Sequence, residues 1–230
     1  MNHKNFSISL LHFDDVNRAN EISNIMKDNL LTPKKFYAST PSQKMEYSKN
    51  GFLIGYHDIN IIKNWIGNSL NKIFVIKNLE NEENPIVGYT LILFTKEIIK
   101  EVQEYSNKMI FKDNYSTDII NNGNFNYLIQ IAILKEYQKM GLGSKMFNMI
   151  FKEIKDPIIS YVMKSPIVNK ISLYTHLKLG FTYMGPYTGE YLGTKDGKFE
   201  NFQSIGLIHR KSSSPMKERE DILKLMTEII

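Results

Sequence analysis

One stretch, residues 126–155, constrains the fold of this chain more than any other part of it. Residues Tyr127 to Leu134 are almost all apolar, which predicts a β-strand that is buried on both faces. A short loop with Gly141 and Gly143 follows, and apolar residues then recur at helical spacing from Leu142 to Ile154. The stretch therefore predicts a strand, a tight loop and a helix.

This loop has the chemistry of an anion-binding site. Glycine lets a ligand come close to the backbone, and the first turn of a helix presents N–H groups without partners and favours negative charge. We therefore expect a diphosphate to bind at residues 138–144. A dinucleotide-binding loop would need a third glycine after Gly143, and a Walker loop would need Gly-Lys-Ser/Thr, whereas the sequence reads Gly143-Ser144-Lys145.

The rest of the chain predicts one α/β domain with the order β-α-α-β-β-β-α-β-α-β-β-α. An edge strand at 6–13 precedes a helix, capped by Asp14 or Asp15, that ends near Leu30. Residues 31–57 contain Pro33 and Pro41 and predict a loop region with at most a short helix. The other predicted elements are a helix capped by Asp58, strands at 72–77 and 86–95, an insertion over a site at 96–124, a strand at 157–163, a helix started by Ser165 and Pro166 and ended by Gly180, strands at 181–187 and 199–209 with a glycine- and tyrosine-rich loop between them, and a helix at 216–230.

The composition excludes several classes of function. With 42% hydrophobic residues the chain can build a core, and it has no apolar run of membrane length and no signal-like N-terminus, so we expect a cytoplasmic protein without a membrane partner. It has no cysteine and only five scattered histidines, which argues against a metal site. The net charge of +5 comes mainly from lysines that are mixed with glutamates, so we expect no nucleic-acid partner.

Two motifs in this order of elements resemble the GNAT superfamily of acyl-CoA-dependent N-acyltransferases. Residues 138–143 read Gln-Lys-Met-Gly-Leu-Gly and match the family's (Gln/Arg)-x-x-Gly-x-(Gly/Ala), which opens a helix after a strand. The segment from Asn169 to Phe181 resembles the family's Asn…Tyr-x-x-x-Gly-Phe, with His176 in place of the tyrosine. The chain also departs from the family at Lys135, where proline is common, and at Lys139, where glycine is common. The resemblance covers about residues 4–210 and is strongest in 126–181.

The resemblance implies a GNAT-like mixed central β-sheet flanked by helices over residues 1–210, followed by a linker and a C-terminal amphipathic helix at 211–230. It implies acetyl-CoA as the co-substrate, without a metal. A backbone N–H of Ile133 or Leu134 would polarise the thioester carbonyl. The residues that the resemblance assigns to the cofactor are Ile131, Ile133, Leu134, Gln138, Lys139, Met140, Gly141, Leu142, Gly143, Ser144 and Asn169.

The proton donor to the departing thiolate is left open between His176 and Tyr174. His176 occupies the family's position and shares a helix face with Asn169, so it is the first choice as general acid. Tyr174 is the commoner chemical type, but it lies about 200° around the helix from His176, so both cannot point at one thiol. The general base is not identified. Its candidates are Tyr127, Glu136, Tyr161 or a chain of waters.

We expect an enzyme that transfers acetyl from acetyl-CoA to a primary amine by direct attack in a ternary complex. The amine is carried by a small molecule, a peptide N-terminus or a lysine, and the sequence does not discriminate among them. The alternative is a non-catalytic acyl-CoA-binding sensor or scaffold protein, which the missing tyrosine at position 176 motivates. A third interpretation gives the C-terminal helix a role in binding a partner, and a homodimer is left open.

Overall fold

The computed structural model of the chain describes residues 5–194, 196–210 and 212–230. Two short 3₁₀ turns, Val16–Arg18 and Lys135–Tyr137, accompany the regular elements. In chain order these elements are β1 (Phe6–Leu10), α1 (Ala19–Asn29), α2 (Pro33–Ala38), α3 (Pro41–Asn50), α4 (Ile59–Ile66), β2 (Lys72–Asn78), β3 (Ile86–Leu93), α5 (Lys96–Ser106), α6 (Asn114–Asn122), β4 (Asn126–Ile133), α7 (Leu142–Glu153), β5 (Ile158–Ser165), α8 (Lys170–Lys178), β6 (Thr182–Thr188), β7 (Tyr191–Thr194), β8 (Gly197–Glu200), β9 (Gln203–His209) and α9 (Arg219–Ile229).

The chain forms two compact units, which are described separately. The first comprises the residues up to Leu30 together with Gly55–Thr95 and Leu128–Lys155. The second comprises Leu31–Ile54, Lys96–Tyr127 and Asp156–Ile230. Each unit contains strands with helices packed against them, which is the α/β organisation that the sequence predicts. Among the described residues, no helix is long and apolar enough to cross a membrane.

In the first unit the strands are neighbours in the order β1-β2-β3-β4, and β1, β2 and β3 are antiparallel. Strand β1 lies at the edge, as predicted. Strand β3 is buried along its whole length, because apolar residues occupy both of its faces. The unit's fully buried side chains include Ile22 and Met26 on α1, Ile62 on α4, and Met146 and Ile150 on α7. The helical spacing of apolar residues on these three helices therefore builds the core of this unit.

Two predicted helix starts in this unit have different outcomes. Asp58 caps α4, since its Oδ1 accepts a hydrogen bond from the Asn60 N–H at 2.9 Å, which confirms the prediction. The prediction that Asp14 or Asp15 caps α1 is wrong. The 3₁₀ turn precedes α1, and Asp15 makes no side-chain cap bond there; its backbone carbonyl accepts from the Arg18 N–H at 2.9 Å instead.

In the second unit β9 lies between β5 and β6 and is antiparallel to both. Strands β7 and β8 form a separate antiparallel pair. The prediction of a loop at 187–199 is therefore wrong for the residues of this segment that the structure describes. Helix α9 packs against α8 and buries Ile222, Met226 and Ile229. The Lys164 ammonium donates to the Ile229 carbonyl at 3.1 Å. The C-terminal helix therefore belongs to the same compact unit as β5 and α8, and a domain boundary at 211 stays a prediction.

Residues 31–57 contain two helices, which corrects the prediction of a loop region. Helices α2 and α3 each begin with a proline that follows a threonine. The Thr32 hydroxyl accepts from the Lys35 N–H at 3.2 Å, and the Thr40 hydroxyl accepts from the Gln43 N–H at 3.3 Å. Proline is favoured at the first helical position, where its missing N–H has no partner to lose. These prolines therefore start helices instead of ending them.

The insertion at 96–124 also consists of two helices, α5 and α6, and the segment after α5 lies along the edge strand β6. The Lys112 N–H donates to the Met184 carbonyl at 2.9 Å, and Met109 forms an isolated antiparallel bridge with Tyr187. The Asp113 carboxylate bonds to the Arg210 guanidinium at 2.8 Å. The insertion is therefore fastened to β6 and covers part of its exposed edge.

Candidate active site

The loop between β4 and α7 is closed by the side chain of Gln138. Its amide nitrogen donates to the Ile133 carbonyl at 2.9 Å and lies 3.4 Å from the Asn29 side-chain oxygen. These contacts turn the Gln138 side chain back onto the end of β4. The residue is among those predicted to bind the cofactor, and in this structure its side chain positions the loop backbone.

Two residues of this loop adopt left-handed backbone conformations, Lys139 with a φ of 64° and Gly141 with a φ of 74°. A Cβ atom added at Gly141 would meet nothing within 4 Å, and one added at Gly143 would lie 3.7 Å from the Ile133 Cδ1 atom. Packing within the protein therefore requires neither glycine. The left-handed conformation favours glycine at 141, and the open space above it is available to a ligand.

The surroundings of the loop suit an anion. Helix α7 has no acidic residue in its first turn, and its first amides have no partners within the helix. Lys139, Met140 and Ser144 are exposed beside these amides, whereas the side chain of Leu142 is buried in the core. Backbone N–H groups and a lysine therefore face solvent at the positive end of a helix dipole, which is the arrangement that binds phosphate.

Strand β4 exposes one face in part, which corrects the prediction of burial on both faces. Its residues alternate between buried and partly exposed positions, and Ile131 and Ile133 are among the partly exposed ones. Side chains of a strand alternate between its faces, so one face packs into the core while the other keeps apolar surface accessible. An extended apolar arm of a ligand could cover this surface.

The amides at the end of β4 differ in availability. The Leu134 N–H donates to the Val87 carbonyl on β3 at 2.9 Å. Because successive amides along an extended strand point to opposite edges, the Ile133 N–H points away from β3. Of the two amides that the resemblance offers for the thioester carbonyl, Ile133 therefore supplies the one that is not engaged with β3.

Asn169, another predicted cofactor residue, is the N-cap of α8. Its side-chain oxygen accepts from the Ser172 N–H at 3.3 Å, and its amide nitrogen donates to the Phe52 carbonyl at 2.9 Å. The prediction that Ser165 and Pro166 start this helix is wrong, because β5 continues to Ser165. A residue before proline is biased towards extended conformations, which explains why the strand persists to this point.

His176 is almost completely buried, with 2% of its surface exposed. Its Nδ1 lies 2.7 Å from the Ser172 carbonyl oxygen, and its ring packs edge-on against Phe181 at 4.8 Å. A carbonyl can only accept, so Nδ1 carries the proton of the neutral ring. Burial lowers the pKa of His176 from 6.5 to about 4, although the hydrogen bond to Ser172 raises it in part. At neutral pH the imidazole is therefore uncharged and its one proton is committed to a backbone carbonyl.

This burial makes the stability of the protein sensitive to acid. The pKa of His176 is lower in the folded chain than in the unfolded chain, so the unfolded chain takes up the proton first as the pH falls below 6.5. The stabilisation is complete above pH 6.5, and about 3 kcal/mol of it is lost by pH 4. We expect His176→Gln to make the free energy of unfolding, measured with urea between pH 7.5 and 4.5, depend less steeply on pH.

The control for that experiment is His12→Gln, which removes a histidine from the surface. Burial also lowers the pKa values of His57 and His209 to about 4, and both residues remain in each variant. The comparison therefore isolates His176. Equal pH slopes in the wild type and His176→Gln would contradict a buried, neutral imidazole.

Tyr174, the second predicted proton donor, is partly buried on a different side of α8 from His176. A tyrosine hydroxyl carries a proton that it can donate.

Burial raises the pKa values of Tyr127 and Tyr161, two of the candidates for the general base, so both remain uncharged at neutral pH. Tyr161 is hydrogen-bonded to Ser106, and its ring contacts Tyr105 on α5, a residue that the sequence did not single out. In the part of the chain that is described, no group of three or more His, Cys, Asp or Glu residues is placed to hold a metal ion.

Comparison with known proteins places this geometry in a fold. No protein-family model and no curated protein sequence matches the chain. Among solved structures, Arabidopsis thaliana NAA60 in complex with a bisubstrate analogue is 13% identical, with a TM-score of 0.54 over 91% of this chain and 100% of that one. The NatC complex bound to Gag peptide and CoA is 12% identical, with a TM-score of 0.52 over 92% of this chain and 99% of that one.

A third match is the PaiA N-acetyltransferase of Thermoplasma acidophilum in complex with coenzyme A. It is 10% identical, with a TM-score of 0.50 over 90% of this chain and 99% of that one. At such low identities a structural likeness establishes the fold and leaves the activity open. These matches confirm the fold that the two motifs predict: the chain has the fold of the GNAT acetyltransferases.

Proposed function

We propose that this protein is an N-acetyltransferase that transfers the acetyl group of acetyl-CoA to a primary amine. The amine belongs to a small molecule, a peptide N-terminus or a lysine side chain, and it attacks the thioester directly in a ternary complex. The observation that carries the proposal is the loop of residues 138–143, where two left-handed residues, open space at Gly141 and exposed amides meet at the start of α7. Structures with the same fold hold acetyl-CoA or CoA, which supports the same donor here.

Each part of the donor has a counterpart in the first unit. The diphosphate fits the amides that open α7, with Lys139 adding positive charge. The apolar face of β4 that includes Ile131 and Ile133 suits the pantetheine arm. The Ile133 N–H would donate to the thioester oxygen as negative charge develops there, and such a donor contributes about 3 kcal/mol to the stability of a transition state.

The reaction needs two proton transfers in addition to that donor. The amine nitrogen bonds to the carbonyl carbon and loses a proton, while the carbon–sulfur bond breaks and the sulfur gains a proton. The environment of His176 supports Tyr174 as the group that protonates the sulfur, because the imidazole is neutral and its proton is bonded to Ser172. The uncharged Tyr127 and Tyr161 make poor bases, which leaves the exposed Glu136 and water as candidate acceptors of the amine proton.

A thiol-release assay tests the proposal without a background signal from protein thiols, since the chain contains no cysteine. We expect acetyl-CoA and a panel of primary amines to release free CoA, detected with a thiol reagent. Tyr174→Phe should lower kcat about 100-fold, because it removes a general acid, and should leave the Kd for CoA unchanged. His176→Gln should change kcat less than about threefold. A fall in kcat with His176→Gln and none with Tyr174→Phe would reverse the assignment.

A second candidate is a non-catalytic sensor or scaffold that binds acyl-CoA. The burial of His176, at the position where the family has a tyrosine, favours it. Such a protein would bind CoA in calorimetry but release no thiol with any amine. Tyr174→Phe would then leave the Kd for CoA unchanged. Binding together with amine-dependent release would exclude this candidate.

A further inference from the structure

Four tyrosine rings, which we call the tyrosine cluster, come together within the second unit. They are Tyr105 on α5, Tyr127 at the start of β4, Tyr161 on β5 and Tyr187 on β6. Tyr105 stacks on Tyr187 with ring centroids 3.8 Å apart and contacts Tyr161 at 4.8 Å. Tyr127 contacts Tyr161 at 6.0 Å. The cluster therefore joins the insertion helix α5 to strands β5 and β6 and to the first residues of β4.

Two of the cluster's hydroxyl groups are engaged in hydrogen bonds within the protein. The Tyr105 hydroxyl is bonded to the Ser204 hydroxyl at 2.8 Å, and the Tyr161 hydroxyl is bonded to the Ser106 hydroxyl at 2.6 Å. Tyr105, Tyr127 and Tyr161 are partly buried, and with two of the hydroxyls bonded inside the protein the side chains offer ring surface. Such a surface binds apolar groups and, through the negative face of the ring, a cation.

One carboxylate stands near this aromatic surface. Glu101 is exposed on α5, one helical turn before Tyr105, and its charge acts on Tyr127, where it adds to burial in raising the pKa of the hydroxyl. Glu104, on the same helix, lies 3.9 Å from the Lys100 ammonium, which offsets its charge. Among the residues that the structure describes, Glu101 forms no ion pair, so the cluster offers ring faces beside an exposed negative charge.

We propose that the tyrosine cluster binds the acceptor amine and that Tyr105 determines its specificity, favouring a single amino group carried on an aromatic or apolar body. This inference rests on the proposed function and names the substrate class for it. An aromatic surface with one carboxylate suits one ammonium group. A polyamine would bring further positive charges, whereas the neighbouring carboxylate on α5, Glu104, is already paired with Lys100.

The test uses 2-phenylethylamine as the probe and 1,4-diaminobutane as its competitor. Calorimetry is done on the full chain saturated with CoA, because CoA carries no acetyl group to transfer. The Kd for 2-phenylethylamine should be at least about tenfold lower than the Kd for 1,4-diaminobutane. In thiol-release assays Tyr105→Leu should raise the KM for 2-phenylethylamine about tenfold, with kcat and the KM for acetyl-CoA within about twofold. Tyr105→Phe keeps the ring and should restore the wild-type KM. Phe13→Leu, at an exposed position of the first unit, is the control for losing an aromatic ring.

Glu101→Gln provides a second test that does not disturb packing, because Glu101 is exposed. It should raise the KM for 2-phenylethylamine about threefold through the loss of one surface charge. A preference for 1,4-diaminobutane, or a KM unchanged in both Tyr105→Leu and Glu101→Gln, would overturn the inference while the transferase proposal stands. Absence of thiol release with every amine would refute the transferase proposal, and in that case failure of 2-phenylethylamine to bind the CoA-loaded chain would overturn this inference as well.

Discussion

Gly141→Ala is expected to weaken CoA binding about 10- to 100-fold while the chain remains folded. The new Cβ would project into the open space where the diphosphate is proposed to lie, and would interfere with hydrogen bonds from backbone amides to a charged group, each worth about 1.5–3 kcal/mol. Alanine in the left-handed conformation of Gly141 would also cost about 1–2 kcal/mol of stability. Calorimetric titration with CoA measures the first effect, and urea unfolding measures the second.

Two other glycines separate the effect on binding from the effect on the backbone. Gly143→Ala adds a methyl group that meets only ordinary packing distances, and the family motif accepts alanine there, so CoA binding should stay within about twofold of wild type. Gly123 ends α6 with a φ of 66°, so Gly123→Ala reproduces the backbone strain outside the loop, and its Cβ would also lie 3.0 Å from the Ile99 Cγ2 atom. If Gly123→Ala weakened CoA binding as much as Gly141→Ala, the loop would not be the diphosphate site.

The sequence predicted β4, its loop and α7 well because their signals are local. The observed α7 begins at Leu142, where the apolar spacing begins, and ends at Glu153, one residue before the predicted limit. The sequence does not predict which face of β4 is buried and which stays partly exposed. An apolar strand looks the same whether one or both faces are covered, since coverage depends on which elements pack against it.

Proline positions explain two of the wrong predictions. Pro33 and Pro41 predict a loop, although each follows a threonine that caps a helix. Ser165 and Pro166 predict the start of α8, although Asn169, three residues after Pro166, is the actual cap. Threonine, serine and asparagine all cap helices, so a sequence with several such residues leaves the choice to tertiary contacts. At Asn169 the deciding contact is its hydrogen bond to the Phe52 carbonyl.

The catalytic predictions had the weakest basis in the sequence. Helical spacing places His176 and Asn169 on one face of α8, but it does not say whether that face meets solvent or the core. The structure buries the face, and the environment of His176 follows from its contacts with Ser172 and Phe181. The tyrosine cluster is still harder to foresee, because Tyr105 and Tyr187 are far apart in the chain and no spacing rule connects them.

The close approach of the insertion to β6 gives the largest expected effect on stability. A Cβ added at Gly185 would lie 2.2 Å from the Ile110 carbonyl oxygen, and Gly185 has a φ of 150°, which side chains rarely adopt. Both backbones are held in place, since the Ile110 N–H donates to the Pro186 carbonyl at 3.3 Å and the Lys112 N–H donates to the Met184 carbonyl at 2.9 Å. We expect Gly185→Ala to lower the free energy of unfolding by at least about 3 kcal/mol, measured by urea unfolding.

Gly67→Ala is the matched control, because Gly67 has an ordinary helical backbone conformation and its new Cβ would lie 3.4 Å from the nearest atom. Its effect should stay below about 1 kcal/mol. If Gly185→Ala does not fold at all, hydrogen exchange in the wild type still tests the same contact, since the amides of Ile110 and Lys112 should be protected as strongly as those of β6. Rapid exchange at both amides would show that the insertion does not hold to β6. The stack of Tyr105 on Tyr187 would then lose its support, because the same segment carries α5 to that strand.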